Sequence, residues 1–205
     1  MPETQNNPLA RTYHASCLLD KFMIVSGGEA QILADLQDLW AFNLETREWR
    51  ELKFTERFHA KRFHTASAIS GNRVVTFGGC HSEYVHLNEV NIFDLTNFVS
   101  KGDVNISCIK VDCKVGPSSR WGHTANVFKD KVYVHGGRND ADVGDLWVFD
   151  ADNQSLKWSQ VPLQQPIPKP RRRGSAVFIS SSLVLFGGFD GEFYNDLHTL
   201  HLTEP

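Results

Sequence analysis

The length, composition and charge of the chain fit an ordinary folded protein and exclude several special classes. It has 205 residues, of which 41% are hydrophobic and 22% are charged, and its formal net charge is −3. A balance so near neutrality gives no electrostatic argument for a nucleic-acid or a membrane partner. No apolar run approaches the length of a transmembrane helix.

The first residues and the cysteines predict a chain from a reducing compartment. The N-terminal sequence lacks the basic and then apolar pattern of a signal segment. The four cysteines are scattered and lack the paired spacing of a zinc site: Cys17, Cys80, Cys108 and Cys113. Free thiols are therefore favoured over disulfides. We predict a cytoplasmic location, with the nucleus as the alternative, and no metal or cofactor.

Taken in chain order, the predicted elements recur four times. Each unit opens with a short strand that follows a basic residue, in the segments ARTYHASCLL, KRFHTASAI, SRWGHTANVF and PRRRGSAVFI. The next strand runs into a glycine pair, in FMIVSGG, RVVTFGG, KVYVHGG and LVLFGG. A third strand follows, in DLWAFNL, NEVNIFDL, DLWVFDA and NDLHTLHL. Short apolar or alternating runs bounded by turn residues predict strands of a sheet.

Two further positions mark the repeat. The glycine pairs are spaced 51, 58 and 51 residues apart, and in two units a tryptophan, Trp49 or Trp158, stands 21 residues after the second glycine. Paired glycines after a strand permit positive φ and a close approach of neighbouring backbone. The second unit has no such tryptophan and carries extra residues around VSKGDVNISCIKVDCKV.

This pattern resembles the kelch family, whose repeat of about 50 residues forms one propeller blade. The resemblance implies an all-β fold, a kelch-type β-propeller with four blades or a partial ring of four-stranded antiparallel sheets. We predict one kelch-repeat domain over residues 1–205, with repeats at about 9–58, 59–117, 118–167 and 168–205. The fourth repeat has sequence for three strands only. A partial ring, completed by further blades or by self-association, is therefore favoured over a closed four-bladed ring.

The basic residues that open the repeats are the first candidates for partner binding. They are Arg11, Arg120, Arg171 and, in the second repeat, Arg62 or Lys61. Guanidinium groups that converge on one mouth would bind carboxylates of an acidic peptide segment, as the resemblance to peptide-binding kelch proteins implies. The alternative is that each arginine, with the histidine that follows, links neighbouring blades by hydrogen bonds. The histidines, His14, His64 and His123, are predicted to be structural.

The loops after the glycine pairs supply the second set of candidates. Such loops vary between repeats, and propellers place them on a shared face where binding residues concentrate. The exposed aromatic or charged candidates are Tyr84, His86, Arg138, Asp140, Phe189 and Phe193, with ordinary loop chemistry as the alternative. The basic run 168–173 fits a nuclear import signal less well than a strand that opens a blade after a proline-rich linker.

These features predict a non-catalytic protein–protein interaction module, a scaffold or substrate-recognition adaptor. The resemblance implies uses such as ubiquitin-ligase adaptor, cytoskeletal protein or small-GTPase effector. The alternative is a small-molecule or metal-dependent enzyme built on a kelch propeller. The sequence contains no nucleophile-elbow, phosphate-loop or zinc-protease motif, so no catalytic residue is predicted.

Overall fold

The computed structural model describes residues 7–31, 34–82, 85–151 and 156–202. Residue contacts divide the chain into two compact units, Met1–Val111 and Asp112–Pro205. Each unit contains two large antiparallel sheets, which we number as blades 1 and 2 in the first unit and blades 3 and 4 in the second. Each blade lies within one predicted repeat, while the prediction of a single domain stays a prediction.

Blade 1 has four strands, in the order β2-β3-β5-β6, beside a two-stranded ladder of β1 with β4. The strands are β1 (Arg11–Thr12), β2 (Ala15–Leu19), β3 (Phe22–Ser26), β4 (Glu29–Ala30), β5 (Leu39–Asn43) and β6 (Trp49–Leu52). The closing tryptophan Trp49 pairs with Phe42 of the third strand. The two-stranded ladder includes Glu29, the residue that directly follows the glycine pair.

Blade 2 repeats this plan with a helix inserted before its last strand. It consists of β7 (Thr65–Ile69), β8 (Arg73–Phe77), β9 (Cys80–His81), β10 (Val85–His86), β11 (Val90–Asp94), α1 (Thr96–Lys101) and β12 (Ser107–Val111). The four long strands are ordered β7-β8-β11-β12. Cys108 pairs with Phe93 where blade 1 has its tryptophan. The extra residues of the second repeat therefore form α1 and the approach to β12.

Blade 3 is a four-stranded sheet in the order β13-β14-β15-β16. Its strands are β13 (Thr124–Phe128), β14 (Lys131–His135), β15 (Leu146–Asp150) and β16 (Lys157–Val161). Trp158 pairs with Phe149, as Trp49 pairs with Phe42 in blade 1. The predicted tryptophan positions thus close blades 1 and 3 in the same register.

Blade 4 has three strands in the part of the chain that the structure describes. They are β17 (Ser175–Ile179), β18 (Ser182–Phe189) and β19 (Phe193–His201), in that order. Here β18 continues through the glycine pair, with a register shift between Phe186 and Gly188. The last two strands therefore form one long hairpin, whose tip lies at residues 190–192.

The apolar residues that alternate along the strands form a core within each unit. Ile24, Leu39, Val74 and Phe93 are completely buried where blades 1 and 2 pack together. In the second unit, Leu146 of blade 3 packs with Leu183 and Leu200 of blade 4. Burial of alternate side chains on both sheets supplies the main driving force for this stacking.

The two glycines of the pair in blade 1 face different neighbours, which explains why both are needed there. A Cβ on Gly27 would lie 2.6 Å from the carbonyl oxygen of Lys61 in blade 2. A Cβ on Gly28, whose φ is +100°, would lie 2.7 Å from the carbonyl oxygen of Thr12 in its own blade. The first glycine therefore admits the next blade, and the second admits the first strand of its own blade.

The fold of the described residues is all-β apart from α1. No helix among these residues is long and apolar enough to cross a membrane. The cytoplasmic location stays a prediction.

Candidate functional site

The arginine that opens blade 3 lies inside the blade, in a buried ion pair with Asp145. The Arg120 side chain has no exposed surface. Its Nη1 and Nη2 donate to the two Asp145 carboxylate oxygens over 2.6 and 3.0 Å. Nη1 also donates to the carbonyl oxygen of Gly136, and Nε donates to that of Ser118. This planar fork ties the first strand to the glycine pair and to the residue before the third strand.

The same arrangement of an arginine bound to an aspartate of its own blade, which we call the joint, occurs in blades 1 and 4. Arg11 binds both carboxylate oxygens of Asp38 over 2.6 and 2.8 Å, and Arg171 binds those of Asp196 over 2.5 and 2.9 Å. Each of these arginines also donates to the carbonyl oxygen of the first glycine of its pair. Burial alone would raise the pKa of Asp145, but the hydrogen bonds and charge of Arg120 lower it below its ordinary value.

Blade 2 builds this joint differently, with Lys61 in the place of the arginine. Lys61 is buried, and its Nζ makes no hydrogen bond among the described residues. Glu89 occupies the place of the aspartate but turns instead to His59, 2.7 Å away, and to Lys110. Burial lowers the pKa of Lys61 to about 8, against the opposing effect of Glu89.

This geometry favours a role inside the blade for the arginines that open the repeats. Arg11, Arg120 and Arg171 already use their guanidinium groups on aspartates of their own blade. Their predicted convergence on an acidic peptide stays a prediction that the buried pairs do not support. The predicted alternative was a link between neighbouring blades. Arg62 and Arg172, which directly follow Lys61 and Arg171, make such a link by pairing with an aspartate of the preceding blade.

A basic and aromatic cluster forms where blades 3 and 4 meet in the second unit. Asp142 is buried and receives two arginines. Arg172 Nη1 donates to Asp142 Oδ1 and Oδ2 over 2.6 and 2.7 Å, and Arg138 Nη1 donates to Oδ2 over 2.8 Å. The Arg138 side chain is 34% exposed. Two arginines are thus held in place by a single carboxylate.

Aromatic rings and a third arginine complete this arrangement. The Arg172 guanidinium lies over the Phe189 ring at 4.6 Å, and the Arg173 guanidinium lies over the Trp121 ring at 5.3 Å. Phe189 contacts Phe193, with ring centroids 4.9 Å apart, and Phe193 is 91% exposed. We call the following residues the blade 3–4 cluster: Trp121, Arg138, Asp142, Arg172, Arg173, Phe189 and Phe193. Its three arginines and one aspartate give a formal charge of +2.

The corresponding place between blades 1 and 2 has the opposite charge. Arg62 Nη1 binds Glu29 and also lies 3.3 Å from Asp35 Oδ1. Tyr13 and Phe63 stack beside them with ring centroids 4.0 Å apart. We call these five residues the blade 1–2 cluster. They line a cavity of about 760 Å³ together with Ala34, His81 and Ser82. One arginine and two carboxylates give a formal charge of −1.

Comparisons with known proteins identify the repeat. The model of the KLHDC2/KLHL20/DRC7 Kelch-repeats domain matches residues 1–107 and 64–205. The chain belongs to the kelch-repeat family. Its four blades are accordingly those of a kelch-type β-propeller, as the glycine pairs and strand spacing predict.

Curated kelch relatives match most of this chain. Tip elongation aberrant protein 1 of Schizosaccharomyces pombe is 32% identical over 206 residues, which cover 96% of the chain and 17% of that protein. Kelch domain-containing protein 3 of Homo sapiens is 29% identical over 194 residues, 88% of the chain and 48% of that protein. Host cell factor 1 of Homo sapiens is 27% identical over 185 residues, 82% of the chain and 9% of that protein. The chain therefore spans half or less of the length of these relatives.

The other predicted site residues are distributed around the kelch blades. His86 lies half-buried in β10 and pairs with Cys80. Asp140 is exposed in the loop between β14 and β15, while Tyr84 lies outside the described residues. His64 lies 3.1 Å from Ser26 Oγ of blade 1, so it connects blades 1 and 2 as the structural interpretation of the histidines predicts.

Sequence reasoning missed the carboxylates that pair with the opening arginines, and it missed four members of the blade 3–4 cluster: Trp121, Asp142, Arg172 and Arg173. Asp38, Asp145 and Asp196 follow their arginines by 27, 25 and 25 residues. This regular spacing of opposite charges was the available signal for the buried pairs. Arg172 and Arg173 belong to the basic run 168–173, but nothing in that run indicates that Asp142 and Trp121 lie beside them.

The described residues contain no group of three or more His, Cys, Asp or Glu side chains placed to hold a metal ion. The expectations that this kelch chain carries no cofactor and is not an enzyme stay predictions.

Proposed function

We propose that this kelch chain is a protein-interaction module that binds an acidic segment of a partner protein at the blade 3–4 cluster. The observation that carries this proposal is the excess of arginine there. Asp142 accepts hydrogen bonds from Nη1 of Arg172 and from Nη1 of Arg138, and the Arg138 side chain is 34% exposed. Guanidinium groups that are already oriented bind carboxylates at a small entropic cost.

The exposed aromatic side chain beside these arginines supports the same function. Phe193 is the tip-side residue of the long hairpin of blade 4 and is 91% exposed. Aromatic residues and arginines are enriched among the few side chains that dominate binding energy at protein interfaces. An apolar side chain next to an acidic residue of the partner would pack on Phe193 while the carboxylate binds Arg138.

Membership of the kelch family supports the broader function of protein interaction. Its relatives include Kelch domain-containing protein 3 and Host cell factor 1. Within this function the chain would act as a scaffold or as a substrate-recognition adaptor.

The test is a titration of the chain with two short peptides that differ only in charge. The probes are acetylated and amidated Ala-Glu-Phe-Glu-Ala and its uncharged analogue Ala-Gln-Phe-Gln-Ala. Charge-assisted hydrogen bonds lead us to expect that the glutamate peptide binds about tenfold more tightly. Calorimetry or backbone NMR of the labelled chain measures both dissociation constants.

Two variants connect that binding to the cluster. Arg138→Glu should abolish the preference for the glutamate peptide, because it replaces the exposed donor with a carboxylate beside Asp142. Arg57→Glu makes the same charge change at an exposed arginine of the linker before blade 2 and should leave binding unchanged. Equal binding of the two peptides, or full binding by a folded Arg138→Glu variant, would contradict the proposal.

A further inference from the structure

The two clusters are built on the same backbone positions, although their charges differ. An isolated β-bridge pairs Glu29 with Asp35 in blade 1, and another pairs Arg138 with Asp142 in blade 3. After each bridge the chain returns to the second glycine in the same way. Leu36 N–H donates to the Gly28 carbonyl over 2.8 Å, and Val143 N–H donates to that of Gly137 over 2.9 Å. Glu29 and Arg138 are therefore equivalent residues.

The arginine that the next blade contributes is also equivalent. Arg62 exchanges backbone hydrogen bonds with Cys80, and Arg172 exchanges them with Phe189. Each of these arginines reaches back to the aspartate of the preceding blade, Asp35 or Asp142. The two clusters thus share an arginine and an aspartate in matching places. The first difference between them is the residue directly after the glycine pair, which lies beside that ion pair.

This residue reverses the charge around the shared ion pair. Glu29 binds Arg62, so that one guanidinium lies between two carboxylates. Arg138 binds Asp142, so that one carboxylate lies between two guanidinium groups. A second difference acts in the same direction, because Phe63 in blade 2 is matched by Arg173 in blade 4. An incoming carboxylate would meet a formal charge of −1 at one cluster and +2 at the other.

We infer that the residue directly after the glycine pair, Glu29 in blade 1 and Arg138 in blade 3, determines whether a pair of blades binds an acidic segment. The chain accordingly has one binding cluster for such a segment rather than two, and Glu29 keeps it away from the blade 1–2 cluster. This inference rests on the proposed function, since it names the specificity-determining position of that site.

The decisive variant is Glu29→Arg, which copies the arrangement of blade 3 into blade 1. In the wild-type chain, the glutamate peptide described above should shift the backbone amide signals of the blade 3–4 cluster, Arg172 and Phe189 among them, and leave those of Arg62 and Cys80 unchanged. In the variant, it should also shift those of Arg62 and Cys80, with a dissociation constant within about tenfold of the first cluster. Backbone NMR of the full chain reports both clusters separately.

A control variant separates position from overall charge. Glu45→Arg makes the same charge change in blade 1 at a residue whose side chain is 66% exposed and forms a solvent-exposed ion pair with Lys21. It should create no second binding cluster. A Glu29→Arg chain that is folded by circular dichroism but shows no shift at Arg62 and Cys80 would overturn the inference.

The reverse substitutions decide the matter if Glu29→Arg does not fold. Arg138→Glu should weaken binding about tenfold more than Arg138→Gln, because the glutamate excludes the ligand while the glutamine only removes a donor. Equal losses in the two variants would contradict the inference.

Failure of this inference can be told apart from failure of the proposed function. If the wild-type chain binds the peptide at Arg172 and Phe189 but Glu29→Arg adds nothing, the proposed function stands and the inference fails. If the wild-type chain does not bind the peptide, while Glu29→Arg binds it at Arg62 and Cys80, the proposed function fails and the role of the position is supported.

Discussion

Blades 2 and 3 each have a basic residue before their first strand and an acidic residue before their third strand, but only in blade 3 do the two form an ion pair. In blade 3, Arg120 binds both oxygens of Asp145, and Trp147 Nε1 donates to the same carboxylate over 2.6 Å. In blade 2, the Nζ of Lys61 makes no hydrogen bond among the described residues, and Glu89 binds His59 and Lys110 instead. A basic and an acidic residue at matching positions are thus insufficient to form the joint.

The difference follows from the shape of the side chains. The guanidinium of arginine is a planar fork that satisfies a carboxylate and a backbone carbonyl together, while the ammonium of lysine is a compact charge. Asn91 takes the place of the tryptophan, and its amide also makes no hydrogen bond among the described residues. Blade 2 therefore contains a buried charge and a buried amide whose desolvation is poorly compensated.

The largest expected effect is the loss of the joint in blade 3. Arg120→Met should lower the free energy of unfolding by about 3 to 5 kcal/mol, because it leaves Asp145 without its buried partner. Urea unfolding followed by tryptophan fluorescence measures the change. As a control, Lys131→Ala breaks the half-exposed pair with Asp150 and should cost less than about 1 kcal/mol. Similar losses in the two variants would show that Arg120 has no special structural role.

A change of opposite sign is expected in blade 2. Lys61→Met should raise the free energy of unfolding by about 2 kcal/mol at pH 7, since it removes a buried ammonium group while Glu89 keeps His59 and Lys110. The same urea titration tests this. The exposed control Lys101→Met should change stability by less than about 0.5 kcal/mol. A destabilised Lys61→Met chain would mean that the contact of Lys61 Nζ with the Phe58 ring, 5.4 Å from its centroid, outweighs the desolvation of the ammonium group.

The smallest effect is a dependence of that difference on pH. The pKa of Lys61 in the folded chain is about 8, below its ordinary value of 10.5. Between these values the unfolded chain binds the proton and the folded chain does not, so wild-type stability rises with pH in this window. The advantage of Lys61→Met measured at pH 7 should therefore shrink by pH 10. An advantage that is the same at both values would place the pKa of Lys61 near its ordinary value.

Most of the fold could be predicted from the sequence because its signals are local and repeated. Strand length, glycine pairs and the offset of Trp49 and Trp158 follow from backbone geometry and side-chain packing that act in the same way in every blade. The helix α1 and the use of Cys108 in place of a tryptophan were not predicted. The longer second repeat indicated where extra residues are inserted, but it did not indicate that they form a helix.

The candidate site could be predicted only in part. Arg138, Phe189 and Phe193 were selected as loop residues and lie together in the blade 3–4 cluster. Arg120 and Arg171 were selected for their charge, but both are buried. The sequence places an arginine before the first strand of blades 1, 3 and 4 without indicating whether its side chain points into its own blade or toward the next one.

The sequence by itself determined the number of repeats, the order of their strands and the family, because each depends on a periodic pattern along the chain. The tertiary structure decided which of the charges at these repeated positions form ion pairs. Arg11 pairs with Asp38, which is 27 residues away in the sequence, and Arg62 pairs with Glu29, which is 33 residues away. An ion pair depends on distance in space and on the solvent that burial removes, and neither quantity can be read from the spacing of two residues in the sequence.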